Sequence, residues 1–359
     1  MNKKTVLSTL GIAVTLLTLF SLPASAQYQR TDLVTNQGLP GTLKDPDLVN
    51  AWGLTALGGS PFWISDNVTG LSTLYRISNT PPISASKAGL VVTIPPANGG
   101  PGTPSGIVSN TTNGFVFKDT TSGKTAKAVF IFDTLDGTIS AWNGTSTNAT
   151  ITADRKDGAS YTGLAIGTNN GQPFLFAADD SANRRVDVFD ANFKLVDWGP
   201  DAFSDPNIPR NFTPYGIQTI TSADGTQTVW VTYTALNKAQ SGFVDSFTTG
   251  GVLLSHFALQ GPLHSPWGVA QAPADFGPMS NAILVSNNTS RGRINAFDPH
   301  TGEFLGPLRD VNGQPIEIDQ LWGIRFGTAG SNGLPNQLFF TAGPNEYLDG
   351  AFGVITVAP

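Results

Sequence analysis

The 359-residue chain has no cysteine, two methionines, three histidines and only three glutamates, and charged side chains make up 13% of it. Without cysteine there is no disulfide scaffold, no thiolate metal site and no thiol chemistry, so stability must come from core and topology alone. Three glutamates (Glu303, Glu317, Glu346) against 23 aspartates exclude the coiled-coil and long-helix classes, and no Gly-X-Y period exists for a collagen-like chain. A net charge of −6 and a pI near 5.0 exclude nucleic acid as the partner, because phosphate neutralisation needs a basic surface. After Leu22 no run of 18 apolar residues occurs, so no transmembrane segment is expected in the mature chain.

What the chain does have is 40 glycines, 25 prolines, 40% hydrophobic and 10% aromatic residues. That is enough apolar material for a large core and enough turn formers for an all-β fold. The first residues read as a signal peptide. Lys3 and Lys4 precede an apolar stretch from Val6 to Leu22, short for a membrane anchor, and Ala24-Ser25-Ala26 offers a small-x-small cleavage site. The expected organisation is a signal peptide over 1–26 and a single domain over 27–359, exported to the periplasm or the extracellular space and monomeric.

One pattern recurs six times: a polar residue, two variable residues, then Gly and an apolar β-former. It reads Asn50-Ala51-Trp52-Gly53-Leu54, Thr103-Pro104-Ser105-Gly106-Ile107, Ser160-Tyr161-Thr162-Gly163-Leu164, Thr213-Pro214-Tyr215-Gly216-Ile217, Ser265-Pro266-Trp267-Gly268-Val269 and Gln320-Leu321-Trp322-Gly323-Ile324. The glycines are spaced by 53, 57, 53, 52 and 55 residues. Each copy is followed by an apolar run ending in polar residues, such as Phe62-Trp63-Ile64-Ser65-Asp66 or Ile283-Leu284-Val285-Ser286-Asn287. An alternating strand and a weaker fourth one come next, for which Leu90–Ile94 and Leu253–Phe257 are examples. Four antiparallel strands in each of six equal units predict a six-bladed β-propeller, with Gly where neighbouring blades crowd at the axis. The last unit runs out after three strands. Arg30–Thr35, ahead of the first motif, has the alternation of a strand and is expected to close the last blade.

Two units carry a closer likeness. Tyr161-Thr162-Gly163-Leu164-Ala165 leading to Asn183-Arg184-Arg185-Val186-Asp187-Val188-Phe189, and Pro266-Trp267-Gly268-Val269-Ala270 leading to Arg291-Gly292-Arg293-Ile294-Asn295-Ala296-Phe297, resemble NHL-type propeller repeats. The chain as a whole resembles a family of secreted bacterial propellers of unassigned function, some with a C-terminal sorting tail. The carrying segments are Asp47–Leu54, Asp66–Tyr75, Leu135–Trp142 and Gly261–Gly268. The likeness implies fold and export and brings no catalytic residues.

Candidate site residues follow from the expected ring. The polar residue three before each Gly (Asn50, Thr103, Ser160, Thr213, Ser265, Gln320) should stand where the chain reaches the axis, at a polar, loop-rich channel mouth. Trp52, Tyr215, Trp267 and Trp322, just before the Gly, would either stack on a sugar there or wedge between blades. This reading makes the chain a binding module for a carbohydrate or a protein. The alternative is a Ca²⁺-dependent hydrolase, by analogy with the six-bladed gluconolactonase and paraoxonase lactonases. Asp66, Asp133, Asp179 and Asn287, with Asn50, would supply oxygen ligands, although the glutamate ligand of those enzymes has no counterpart here. His264, just ahead of the fifth motif, is the one candidate catalytic base; His256 and His300 read as solvated. No G-x-S-x-G, H-E-x-x-H or phosphate-loop motif is present.

Overall fold

The computed structural model describes Met1 and residues 27–236, 241–259 and 261–358; the signal-peptide reading lies outside this set. The described chain forms a six-bladed β-propeller. The inner strands are Ala51–Thr55, Pro104–Ser109, Tyr161–Asn169, Phe212–Thr221, Pro266–Gln271 and Leu321–Phe326. Three further antiparallel strands step outward from each in blades 1 to 5. In blade 6 two chain strands follow the inner one, and Tyr28–Thr35 then pairs antiparallel with Ala351–Val357 as the fourth. A short parallel strand, Leu43–Lys44, lies outside it.

The six motifs have a common backbone geometry. In every blade the register between the inner and second strands shifts at the motif, so each Gly lies in or directly beside a bulge. A Cβ on Gly53 would lie 2.5 Å from the Ser105 carbonyl oxygen of blade 2, and one on Gly323 would lie 3.0 Å from the Trp52 carbonyl oxygen of blade 1. Gly106 and Gly216 are still tighter against the inner strand of the next blade. Glycine is required because successive backbones touch at the axis.

The core is divided among the blade interfaces. One apolar cluster fills each gap, for example Leu33, Leu54, Phe62, Phe339 and Phe352 between blades 6 and 1, and Phe176, Ile217, Val231 and Phe247 between blades 3 and 4. Sheets buried on both faces explain the low charge content. Two local features differ from expectation. The fourth strand of blade 1 is Ser84–Lys87, not Leu90–Ile94, of which Val92–Thr93 pairs with the third strand further along. The long 57-residue spacing holds an added hairpin, Val116–Lys118 with Thr125–Lys127.

Candidate functional site

At the end where the inner strands begin, the axis is closed. Trp52, Tyr215, Trp267 and Trp322 form a buried cluster with Leu135 and Tyr347 packed against it. Trp52 stacks on Trp322 at 3.7 Å between ring centroids, and Trp267 meets both at 6.5 and 6.0 Å. Tyr215 in blade 4 contacts Trp322 in blade 6, and Trp267 Nε1 in blade 5 donates to the Thr162 carbonyl in blade 3 at 2.7 Å. Contacts between non-adjacent blades cross the axis, so these rings are a plug and not the wedges between blades that the motif suggested. The rings are buried against one another, and Trp267 also borders the cavity on the far side.

The polar residues ahead of the motif hold this plug and its rim. Asn50 Oδ1 accepts from Trp322 Nε1 at 2.8 Å while its Nδ2 donates to Asn67 Oδ1, whose amide reaches the Pro104 carbonyl. Ser265 Oγ pairs with Thr234 Oγ1 at 3.1 Å, and Thr213 Oγ1 reaches the Asp179 carbonyl at 3.4 Å. Asn50, Ser265 and Gln320 all have φ of +48°, a left-handed turn into the inner strand. The Ser160 amide donates to Asp179 Oδ1, and Thr103 Oγ1 is buried with no partner.

The acidic and amide residues at the second-strand ends are not brought together. In three blades a hydroxyl opposite the bulge ties one blade to the next: Ser286 Oγ accepts from the Gly268 amide at 2.8 Å and donates to the Trp322 carbonyl at 2.6 Å. Thr232 and Thr341 repeat this between blades 4 and 5 and between 6 and 1. Asp133 takes that place in blade 2, accepting from the Gly106 amide and, at 2.8 Å, from Ser105 Oγ. Burial pushes its pKa up to about 7, against the Ser105 and Gly106 hydrogen bonds. Ser105 Oγ also reaches the Tyr161 carbonyl at 2.6 Å, and one hydroxyl proton serves both acceptors only if Asp133 brings a proton of its own. Asp66 Oδ2 accepts from the Thr73 amide, Asp179 caps the turn at Ser181–Asn183, and Asn287 Nδ2 donates to the Pro262 carbonyl. Asn287 does share an outer groove of about 600 Å³ with His264, Arg291, Arg293 and Arg309; Glu317 bridges the first two arginines.

The open end of the axis is the other one. A cavity of about 700 Å³ is lined by residues at or after the Gly in all six inner strands, with Trp267 among them. Thr55, Ser109, Gln218, Thr219 and Gln271 give it hydroxyls and amides. It reaches the surface at the exposed turn residues Ser222 and Thr328.

Among the described residues, one group of three acidic or histidine side chains has ligand atoms converging within 4.8 Å: Asp205, Asp245 and His256. Asp245 on the third strand of blade 4 lies in register with His256 on the fourth, and Asp205 comes from the loop that leads into the blade. His256 Nδ1 is 2.7 Å from Asp205 Oδ2 and 2.7 Å from Asp245 Oδ1. One N–H cannot serve two carboxylates. Asp205 Oδ2, Asp245 Oδ2 and the Tyr233 hydroxyl are buried without a hydrogen bond. Burial drives the Asp245 pKa up to about 7, opposed by His256. This group could coordinate a divalent metal ion. It sits on the flank of a blade, away from the expected mouth, and includes the histidine that the strand pattern assigned to solvent. Its one sequence signal is the Asp at the same third-strand position as Asp187 in the preceding blade. Blades 1 and 3 hold related networks with fixed cations, Tyr75–Asp45–Lys87 and Tyr161–Asp187–Arg155, so His256 stands where those have lysine or arginine.

No family model matches the chain. It is similar to two uncharacterized proteins of Acanthamoeba polyphaga mimivirus. One is 29% identical over 347 residues, spanning 92% of this chain and 86% of that protein; the other is 28% identical over 340 residues, spanning 90% and 78%. Among solved structures it resembles the α-L-arabinanase of Penicillium chrysogenum, complexed with arabinobiose, at 12% identity and a TM-score of 0.52, over 92% of this chain and 99% of that one. That likeness is one of fold. No helix among the described residues is long and apolar enough to cross a membrane.

Proposed function

We propose that this chain is an exported binding propeller that takes a small polar ligand, carbohydrate in class, into the axial cavity. The carrying observation is the asymmetry of the axis: one end is closed by buried rings, and the other holds a cavity of about 700 Å³ to which all six inner strands contribute. A hydroxyl-and-amide lining with few charges suits a polyol ligand. Export rests on the basic n-region and the Ala24-Ser25-Ala26 site, and NHL-type kinship rests on the Tyr161 and Pro266 units; both belong to this reading. Calorimetry of the purified protein against a panel of neutral and acidic sugars tests it. Binding that is lost in Ala270→Phe, which fills the cavity from blade 5, supports the axial site. Binding that survives the substitution moves the ligand elsewhere.

A second reading has its own observation. The two carboxylates competing for one imidazole N–H fit a divalent cation, and a nitrogen in the donor set suits Zn²⁺ better than Ca²⁺, which prefers oxygen ligands. Elemental analysis of the purified protein should find about one zinc per chain, absent in His256→Ala. A metal-free protein whose melting is untouched by both Zn²⁺ and chelator would leave His256 as a partner of the two aspartates alone.

A further inference from the structure

The axial cavity contains one charged residue among the described residues that line it, Arg325, two positions after Gly323 on the inner strand of blade 6. No aspartate or glutamate faces it there, in a chain that carries more acidic than basic side chains. Its Nε is buried without a hydrogen-bond partner, and among the described residues the guanidinium has neither a hydrogen bond nor an ion pair. Two other part-buried cations described above are paired: Lys87 with Asp45 and Asp47, Arg155 with Asp157 and Asp187. Burial holds the Arg325 pKa below its ordinary value with no carboxylate to offset it. An unpaired cation in a confined site is destabilising, so its presence is otherwise unexplained. A second unmet group lines the same cavity. Thr219 Oγ1, on the inner strand of blade 4, is buried with no partner. The inner strand of blade 5 lies between the two.

We propose that Arg325 receives the carboxylate of a sugar acid bound in the axial cavity, with Thr219 hydrogen-bonding the same molecule. A guanidinium presents two parallel N–H donors to a carboxylate, and the neighbouring hydroxyls and amides suit the rest of a sugar ring. This assignment rests on the axial-binding reading and narrows its ligand class.

The experiment is calorimetric titration of the full mature protein with glucuronate, glucose and inorganic phosphate, on the wild type, Arg325→Gln and Arg325→Lys. Glucuronate should bind at least about tenfold more tightly than glucose, the scale of one charge-assisted hydrogen-bond pair, and Arg325→Gln should erase that preference. Arg325→Lys should retain part of it. A thermal melt guards against misfolding: Arg325→Gln should melt no lower than wild type, because an unpaired buried charge has been removed. Equal affinity for glucose and glucuronate, unchanged in Arg325→Gln, overturns the carboxylate assignment and leaves axial sugar binding standing. Phosphate binding as tightly as glucuronate overturns the sugar-acid assignment in favour of a free anion site. Absence of binding by all three probes overturns the axial-binding reading and this assignment with it, whereas a large loss of melting temperature in Arg325→Gln overturns the assignment alone by making Arg325 a structural residue.

Discussion

Asp133 shows how a residue that reads as a metal ligand can be a proton carrier within the scaffold. Its position opposite the bulge is a serine or threonine in blades 4, 5 and 6, where a hydroxyl accepts from the Gly amide and donates to the next blade. A protonated carboxyl has the same donor-and-acceptor capacity and an ionised one does not. Asp133→Asn, which keeps a donor and an acceptor without a charge, should therefore leave stability at pH 5 near that of the wild type. Asp133→Ala should lose about 1–3 kcal/mol, since the Gly106 amide is left buried without its acceptor. Urea denaturation of the three proteins checks both, and equal losses in the two variants would remove the proton from the account. No sequence pattern announces this role, because Asp at a strand end is equally at home as a turn cap, a ligand or a buried acid, and the choice is made by desolvation in the folded ring.

At the scale of strands, the amino-acid pattern carried most of the architecture. Six Gly motifs at near-constant pitch fix the number of blades, because each marks a place where backbones meet and no side chain fits. The closing strand was legible for the same reason: blade 6 has one strand too few and residues 30–35 have the alternation to supply it. What the pattern could not carry was the direction of the site. Trp52, Tyr215, Trp267 and Trp322 precede Gly in a strand whose side chains face the axis, but whether four large rings leave an opening or fill it depends on the channel width, which no single blade encodes. The cluster of Asp205, Asp245 and His256 was hidden because it joins a loop to two outer strands. The closing strand also makes a prediction. Tyr28 is buried, donates through its hydroxyl to the Phe276 carbonyl at 2.8 Å, and packs at a tilt against the Phe276 ring. Tyr28→Ala should cost about 3–5 kcal/mol, the usual loss for a large aromatic removed from a core. Deletion of residues 27–36 should lower the melting temperature of the entire ring in one cooperative transition, seen by calorimetry. A separate low-temperature transition confined to blade 6, or no change, would mean that the ring is held closed without this strand.

Taken as a whole, the molecule buries acids that remain protonated longer on folding than in the unfolded chain. Burial raises the pKa of Asp66 well above its ordinary value and brings Asp133 and Asp245 to about 7, each opposed by its hydrogen bonds. Between the ordinary aspartate pKa near 3.8 and about 7, the folded state then holds more protons than the unfolded one. Stability must fall as pH rises through that window, because each step upward favours the state that releases protons. The opposite sign applies to Asp349, whose pKa is lowered by Gln37 first, with Asn36 and Asn345 adding to it against some burial. Its contribution is present above the ordinary aspartate pKa and is lost as pH falls below it. The two trends place the stability maximum near the ordinary aspartate pKa of 3.8, well below neutrality, for a protein built of sheets packed face to face. A series of urea midpoints from about pH 2 to about pH 8 checks this, with the decline above about pH 4 reduced in Asp133→Asn and the acid limb reduced in Asp349→Asn. A midpoint that rises steadily to pH 8 would show that these acids ionise in the fold without penalty, through solvent or a bound cation at Asp245, and the zinc content of the same samples would tell the two apart.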